Sequence, residues 1–182
     1  MSSFFMMRRF EFMNGNCHFI FGASVGTALA LNMEKLETAL PHLSNTPETA
    51  TLFILGGLMG GIFPDIDNPT SYIGKLTVPV SSVIGKCGEI SGKTGPMHRG
   101  ILHEPVVYLI GLILSYLYCP SLVGLFVGCL SHLYLDMFTP AGIPFLFGLK
   151  HFRLAKITSG STQSVAFTWL NVFAVILIGL VI

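Results

Sequence analysis

Five apolar runs separated by polar segments are the feature that most limits how this chain can fold. Inside a hydrocarbon core of about 30 Å, every backbone polar group needs an internal partner, which favours helices. The chain is 52% hydrophobic and only 10% charged, a composition outside that of soluble domains. The sequence therefore predicts an all-α, polytopic transmembrane bundle of about five spans, folded as a single integral membrane domain over residues 1–182. The predicted spans are about Phe19–Leu31, Thr51–Phe63, Val106–Cys119, Leu122–Phe138 and Val165–Ile182.

The first span has a second interpretation. Arg8 and Arg9 precede it and Ala-Leu-Ala-Leu-Asn ends it, a pattern that is also typical of a cleaved secretory signal. Cleavage would remove His18, which belongs to a larger pattern of polar residues at the span ends. We therefore favour an N-terminal segment that is retained as a span.

The positive charges indicate an orientation. With a cytoplasmic N-terminus, nine of the ten lysines and arginines lie inside and only Lys35 lies outside. The C-terminus is then outside. Residues of about 65–100 form a cytoplasmic loop. Those of about 143–160 form an interfacial segment along the inner headgroups, because bulky apolar and basic residues alternate in FLFGLKHFRLAK at 145–156. The net charge of +1 gives no basic field that would attract nucleic acid. The expected partners are membrane lipid and an amphiphilic substrate. The oligomeric state is left open.

Histidines and acidic residues gather at the cytoplasmic ends of four predicted spans. Threading the chain back and forth would bring them together, although more than a hundred positions separate the first from the last. Each one taken singly is more often a helix cap or a snorkelling side chain, but independent caps are not expected to meet at one end. The sequence thus predicts a metal site whose candidate ligands are His18, Asp65, Asp67, His98, His103, His132 and Asp136.

The spacing within the helices supports this grouping. His132 and Asp136 are four residues apart, so both project from one helix face. Glycine pairs at four-residue intervals, which let helix backbones approach closely in lipid, lie in register with candidate ligands. The three series are His18-Gly22-Gly26, Gly57-Gly61-Asp65 and Gly124-Gly128-His132-Asp136.

Mixed imidazole and carboxylate ligands suit zinc first, with manganese or iron as alternatives, and their number fits one or two ions. Such an ion activates water for hydrolysis near neutral pH, with Asp67 or Asp136 available as an acid or base. Arg99 is placed to hold an anionic oxygen such as a phosphate, or it serves only as an inside anchor.

Other polar residues are weaker candidates. The four cysteines have no C-x-x-C spacing and are interpreted as packing residues, although Cys17 beside His18 could be a soft ligand. Glu104, followed by Pro105, is expected to cap the third span rather than to act near the metal. His42, predicted outside, and His151, in the basic segment, are left out of the site.

Three separated motifs carry a family resemblance. They are GIFPDIDNPTSYIG at 61–74, HRGILH at 98–103 and GCLSHLYLDMFTPAGIPFLF at 128–147, with His18 ahead of them. In this order they resemble the YdjM-like family of membrane-bound metal-dependent hydrolases. The chain departs from the family pattern at two places. Met97 stands where the family has Gly before the first His, and Leu102-His103-Glu104 stands where it has Thr-His-Ser. These changes keep the ligands but alter the groups that support them and the fit of the substrate. The resemblance implies a helical protein of a bacterial-type inner membrane. Its metal-dependent hydrolytic centre would be made by Asp65, Asp67, His98, Arg99, His103, Ser131, His132 and Asp136.

The leading hypothesis is a membrane-embedded metal-dependent hydrolase. Its substrate is expected to be a phospholipid or another lipid-linked phosphoester at the cytoplasmic leaflet, because the site lies at headgroup depth among basic residues. The alternatives are a metal-ion or anion transporter, which usually places ligands near the midplane of repeated halves, and a non-catalytic membrane protein with a structural metal.

Overall fold

The computed structural model describes residues 3–68, 71–77, 101–145, 150–158 and 160–181. Their regular structure is almost entirely helical, so the predicted all-α class is confirmed. Three short 3-10 turns, η1 (Phe63–Asp67), η2 (Ile101–His103) and η3 (Pro120–Leu122), connect the helices, and β1 (Ile143–Phe145) pairs with β2 (Lys150–Phe152). The helices are α1 (Ser3–Leu31), α2 (Met33–Ala39), α3 (Pro47–Gly60), α4 (Tyr72–Leu76), α5 (Pro105–Tyr118), α6 (Val123–Asp136) and α7 (Thr162–Val181).

The five predicted apolar runs fall largely within α1, α3, α5, α6 and α7. Within the described part of the chain, α7 is the one helix long and apolar enough to cross a membrane by itself, with 20 residues and a mean hydropathy of 2.2. Helices α3, α5 and α6 have 14 residues each, which is about 21 Å at 1.5 Å per residue. Any crossing by these three helices therefore needs flanking residues or a locally thinned bilayer.

Capping side chains and prolines set the ends of α3. The Thr46 hydroxyl accepts a hydrogen bond from the Thr49 backbone N–H at 3.2 Å, and Pro47 occupies the first turn, where its missing N–H costs nothing. Pro64 cannot continue a helix, so the chain leaves α3 in the tight turn η1. This turn is the one that carries Asp65 and Asp67.

Glycines determine how the central helices pack. A Cβ atom added at Gly57 would lie 2.5 Å from the backbone oxygen of Gly22, and one at Gly128 would lie 2.5 Å from the backbone oxygen of Gly57. Only glycine allows these approaches, because real Cβ contacts are essentially never shorter than 3.0 Å. The predicted glycine contacts are thus confirmed, and α3 lies with its backbone against both α1 and α6.

The order of contacts gives the helix directions. Successive glycine contacts make α3 antiparallel to α1 and parallel to α6. At one end of α1, the Asn32 side chain donates a hydrogen bond to the Gly179 carbonyl at 2.8 Å, while at the other end Cys17 and Ser164 line a common groove. Helix α7 is therefore parallel to α1. One end of the bundle accordingly collects Cys17 and His18 from the middle of α1, the turns η1 and η2, and the last turns of α6.

The buried apolar side chains form two clusters, one of Met33, Leu43, Phe53 and Val123, the other of Tyr108, Cys129, Leu133 and Ile143. Large apolar side chains also cover the outer faces of α5 and α7. Ile113 is 59% exposed, Leu170 66% and Phe173 67%. Exposed apolar surface on this scale is unusual for a soluble monomer and typical of helices that face lipid.

The segment predicted to lie along the headgroups contains a feature that the sequence analysis missed. Residues of β1 and β2 form an antiparallel pair in which Ile143 faces Phe152 and Phe145 faces Lys150. Gly142, with a φ of +66°, permits the sharp change of direction before β1. The alternation of apolar and basic residues, interpreted as interfacial, has the period of two that also favours strands.

Candidate metal centre

Six of the seven predicted ligands lie together at one end of the bundle. Three of these side chains are buried almost completely, with His103 and His132 1% exposed and Asp136 2% exposed. The seventh, His98, lies outside the described residues, as does Arg99. The six are His18 on α1, Asp65 and Asp67 on η1, His103 on η2, and His132 and Asp136 on α6.

Two groups within this cluster have the arrangement of metal ligands. In one, the Nε2 atom of His18 lies 3.4 Å from Oδ1 of Asp136, and Nε2 of His132 lies 3.6 Å from Oδ2 of Asp136. Each group has three ligand atoms within 4.8 Å of one another. Two atoms that each bind a tetrahedral ion at about 2.0–2.1 Å are about 3.4 Å apart, so these spacings fit a shared cation with little adjustment.

The second group shares His132 with the first. Oδ1 of Asp65 lies 3.7 Å from Nε2 of His103 and 3.8 Å from Nε2 of His132. Nε2 of His103 also lies 3.7 Å from Oδ2 of Asp136, which links the two groups into one cluster. The arrangement could hold one ion between the groups or two neighbouring ions.

A backbone hydrogen bond fixes the orientation of His132. Its Nδ1 atom lies 2.8 Å from the carbonyl oxygen of Gly61, which can only accept, so Nδ1 donates. In the neutral ring Nε2 then carries a lone pair. Among the described residues this buried Nε2 has no hydrogen-bond partner. A buried nitrogen of this kind fits a metal ligand whose other nitrogen is held by a carbonyl, as is usual for metal-binding histidines.

Asp65 is held in its ionised form. Burial by itself would raise the pKa of Asp65, but positive charge on the nearby imidazoles, His132 first and then the close His103, lowers it to about 2. The side chain is still 25% exposed, on the open side of the cluster. Asp65 is therefore a charged carboxylate at neutral pH, the form that binds cations.

Asp67 lies on the far side of His103. Its Oδ2 atom is 3.9 Å from Nδ1 of His103, whereas Nε2 of the same ring faces Asp65 and Asp136. Asp67 is therefore placed to orient the His103 ring. It belongs to neither of the two ligand groups found among the described residues. Its roles as a ligand and catalytic residue stay predictions.

The turn that carries His103 is fixed by a residue that the sequence analysis did not single out. The hydroxyl of Tyr108, in the first turn of α5, donates a hydrogen bond to the Leu102 carbonyl at 2.6 Å. The Gly61 carbonyl was missed as well. The sequence did contain a signal for this carbonyl. The last carbonyls of a helix have no partner within the helix, and α3 ends in register with the ligands.

Three other predicted residues have local roles. The expected capping by Glu104 was wrong in part: Glu104 occupies the N-cap position of α5, but its side chain makes no capping hydrogen bond and is only 2% exposed. Ser131 donates to the Gly128 carbonyl within its own helix at 2.7 Å. His42 lies edge-on to the ring of Tyr116, with centroids 5.3 Å apart, away from the cluster.

Comparison with known proteins gives one family. The YdjM inner membrane protein family matches residues 13–182. Inner membrane protein YdjM of Escherichia coli (strain K12) is 32% identical over 106 residues, which are 51% of this chain and 48% of that protein. Protein YvsG of Bacillus subtilis (strain 168) is 34% identical over 103 residues, 53% of this chain and 57% of that protein. The chain thus spans about half the length of the curated relatives it matches. No solved structure matches it.

Proposed function

The chain belongs to the YdjM inner membrane protein family, and from this membership and its buried imidazole–carboxylate cluster we propose that it is a membrane-embedded, metal-dependent hydrolase. The observation that carries the proposal is the meeting of His18, Asp65, His103, His132 and Asp136, which come from four separate stretches of the chain. Ionisable side chains are costly inside a membrane protein unless they are paired or bind a ligand. A shared cation accounts for all five at once.

The membrane topology of this proposal has five crossings, by α1, α3, α5, α6 and α7, with a cytoplasmic N-terminus and an external C-terminus. Five successive crossings require α1 and α7 to be parallel, α3 to be antiparallel to α1, and α6 to be parallel to α3, and these are the helix directions observed. The exposed apolar faces of α5 and α7 support contact with lipid. The candidate centre then lies near the cytoplasmic water boundary, where a thinned bilayer accommodates the shorter helices.

Zinc is the first choice for the bound ion, with manganese or iron as alternatives, because the donors are mixed nitrogen and oxygen atoms. When bound, such an ion supplies Lewis acidity and lowers the pKa of water toward neutrality. The chain supplies the remaining functions. Gly61 and Asp67 orient the rings of His132 and His103, the turns η1 and η2 limit access of bulk water, and Asp67 or Asp136 holds or moves a proton.

The proposed substrate class is a phospholipid or another lipid-linked phosphoester at the inner leaflet. A centre at headgroup depth reaches a phosphoester without removing the lipid from the bilayer. Lys150, Arg153 and Lys156 are exposed in the segment that follows α6, and Arg99, outside the described residues, is proposed to contact an anionic oxygen.

The proposal is tested by metal analysis followed by a phosphoester screen. The purified full chain should contain zinc, manganese or iron in stoichiometric amount and should hydrolyse a phosphoester when loaded with that ion. His132→Ala should lose the ion and at least about a hundredfold in activity, because removing even a group that only orients a metal ligand costs up to about a hundredfold. His42→Ala, a change of the same kind away from the cluster, should behave as wild type.

Four results separate the alternatives. Wild-type protein without a stoichiometric ion, or a His132→Ala variant with full activity, contradicts the proposal. A bound ion without turnover, together with unfolding on chelation, indicates a structural metal. Flux of the ion across sealed vesicles indicates transport.

A further inference from the structure

A groove borders the candidate centre on the side of α7. It is lined by Cys17 and His18 from α1, Phe138 after α6, Ile157, and Ser164 and Thr168 from α7. His18 is 3% exposed and belongs both to this wall and to the ligand group with Asp136 and His132. The groove and the cluster therefore share one side chain, and a molecule in the groove lies next to the centre.

The lining is apolar with a few hydroxyl oxygens. The Ser164 hydroxyl donates to the Ser161 carbonyl at 2.8 Å, and the Thr168 hydroxyl donates to the Ser164 carbonyl at 2.9 Å. Both hydroxyl protons are already donated in these bonds, so each oxygen can only accept a hydrogen bond from a molecule in the groove. The aromatic rings of Phe138 and Phe167, with centroids 4.6 Å apart, form an apolar wall. An occupant of this groove is mainly apolar.

The size of the groove limits what part of a molecule fits. Water-sized molecules have about 30 Å³ in the groove, room for about two of them, whereas all of its empty space, open solvent included, is about 320 Å³. A groove of this volume does not hold a complete lipid headgroup. The part of a lipid that suits it is a narrow chain that lies along the depression with its polar end outside.

Cations lie beside the mouth. The backbone N–H of Leu154 donates to the Met137 carbonyl at 2.7 Å, and that of Ile157 donates to the Phe138 carbonyl at 2.8 Å, which fastens residues 154–157 along the edge of the groove. The Arg153 guanidinium donates to the Pro140 carbonyl at 2.8 Å. Arg153 and Lys156 are exposed, and the sequence from 143 to 158 contains no acidic residue, so this segment brings only positive charge to the edge of the groove.

We propose that the groove binds the proximal part of one acyl chain of an anionic phospholipid, whose phosphate is held by Arg153 and Lys156 at the rim. The proposal rests on the proposed function, for which it specifies an anionic lipid as the substrate class and the place where that lipid enters. The apolar wall holds the chain, the cations select the negative headgroup, and His18 brings the lipid to the edge of the ligand cluster.

The test is lipid binding by the full chain in detergent, measured by calorimetry. The probes are dioctanoyl phosphatidylglycerol, dioctanoyl phosphatidylcholine and inorganic phosphate. We expect the anionic lipid to bind at least about tenfold more tightly than the zwitterionic one, and each cation to contribute about fivefold. Arg153→Gln/Lys156→Gln should thus weaken binding of the anionic lipid about 25-fold, whereas Lys35→Gln, the matched change on α2, should leave it unchanged. Ser164→Leu, which fills the groove, should weaken binding of both lipids.

Several outcomes overturn the proposal. They are equal affinity for the two lipids, an Arg153→Gln/Lys156→Gln variant that binds as wild type, and complete displacement of lipid by inorganic phosphate, which would identify a free-phosphate site. The charge variants alter exposed residues, so the proposal stays testable if Ser164→Leu fails to fold. Lipid binding without any hydrolysis would refute the proposed function alone, and hydrolysis by a Ser164→Leu variant with unchanged KM would refute the groove alone.

Discussion

Replacing Gly57 by alanine tests whether glycine packing sets the geometry of the candidate centre. The added methyl group would lie 2.5 Å from the backbone oxygen of Gly22 and 2.9 Å from the Cα of Gly26. Ordinary van der Waals contact begins at 3.4 Å, so α1 and α3 must move apart by about 0.9 Å. Neither neighbour is a flexible side chain, so the backbones themselves have to shift.

That shift is large for a metal site. His18 lies one helical turn before Gly22 and moves with α1, whereas ligand distances at a metal tolerate only about 0.2 Å. Forcing an extra methyl group into a packed interior typically costs about 1–3 kcal/mol. Because 1.4 kcal/mol corresponds to a factor of ten in an equilibrium constant, we expect the affinity for zinc to fall by about tenfold or more.

The assay is zinc binding by purified protein in competition with a chelator, with helix content recorded in parallel. The matched control is Gly15→Ala, since a Cβ atom at Gly15 meets nothing within 4 Å. This control should bind zinc as wild type, because alanine is the better helix former. If Gly57→Ala keeps its helix content and binds zinc with wild-type affinity, the close contact of α1 and α3 does not set the ligand geometry and the reasoning is wrong.

Three further predictions concern topology, packing and charge. The topology is tested with variants that keep one cysteine each. Cys119, which is exposed at the end of α5, should react with a membrane-impermeant maleimide in intact cells, whereas Cys17 should react only after permeabilisation. Equal labelling of both would exclude the five-crossing arrangement. Tyr134→Phe removes a 3.0 Å hydrogen bond to Asn171 that joins α6 to α7, and should lower the free energy of unfolding in detergent by about 0.6 kcal/mol, whereas Tyr118→Phe at an exposed position should not. A carboxylate whose pKa falls to about 2 on folding stabilises the protein above about pH 4 and loses this contribution as the pH approaches 2. Metal-free Asp65→Asn should therefore be less stable than wild type at pH 7 and equal to it near pH 2; an equal difference at both pH values would show that the charge of Asp65 is not involved.

Local pattern was sufficient for much of the architecture. Apolar runs predicted the main helices, and the four-residue glycine spacing predicted the contacts of α3 with α1 and α6. The convergence of His18, Asp65, His103, His132 and Asp136 also followed from sequence, because helices that alternate in direction return their ends to the same level. Periodicity and polarity are properties of neighbouring residues, so one sequence contains them in full.

Only the tertiary structure decided which atoms meet within that cluster. The Gly61 carbonyl selects the nitrogen of His132 that is left for a ligand, and the position of Asp67 behind His103 separates it from the other carboxylates. The side chain of Glu104 occupies a cap position without capping, and an alternating pattern interpreted as interfacial forms paired strands. Each of these depends on the distance and orientation between segments far apart in sequence, where a shift of about 1 Å changes the bonding partner. The sequence by itself determined the helices and the end of the bundle at which the polar residues gather. Packing between the helices decided which atoms of those polar residues lie close enough to interact, because hydrogen bonds and ligand contacts are short-ranged and directional.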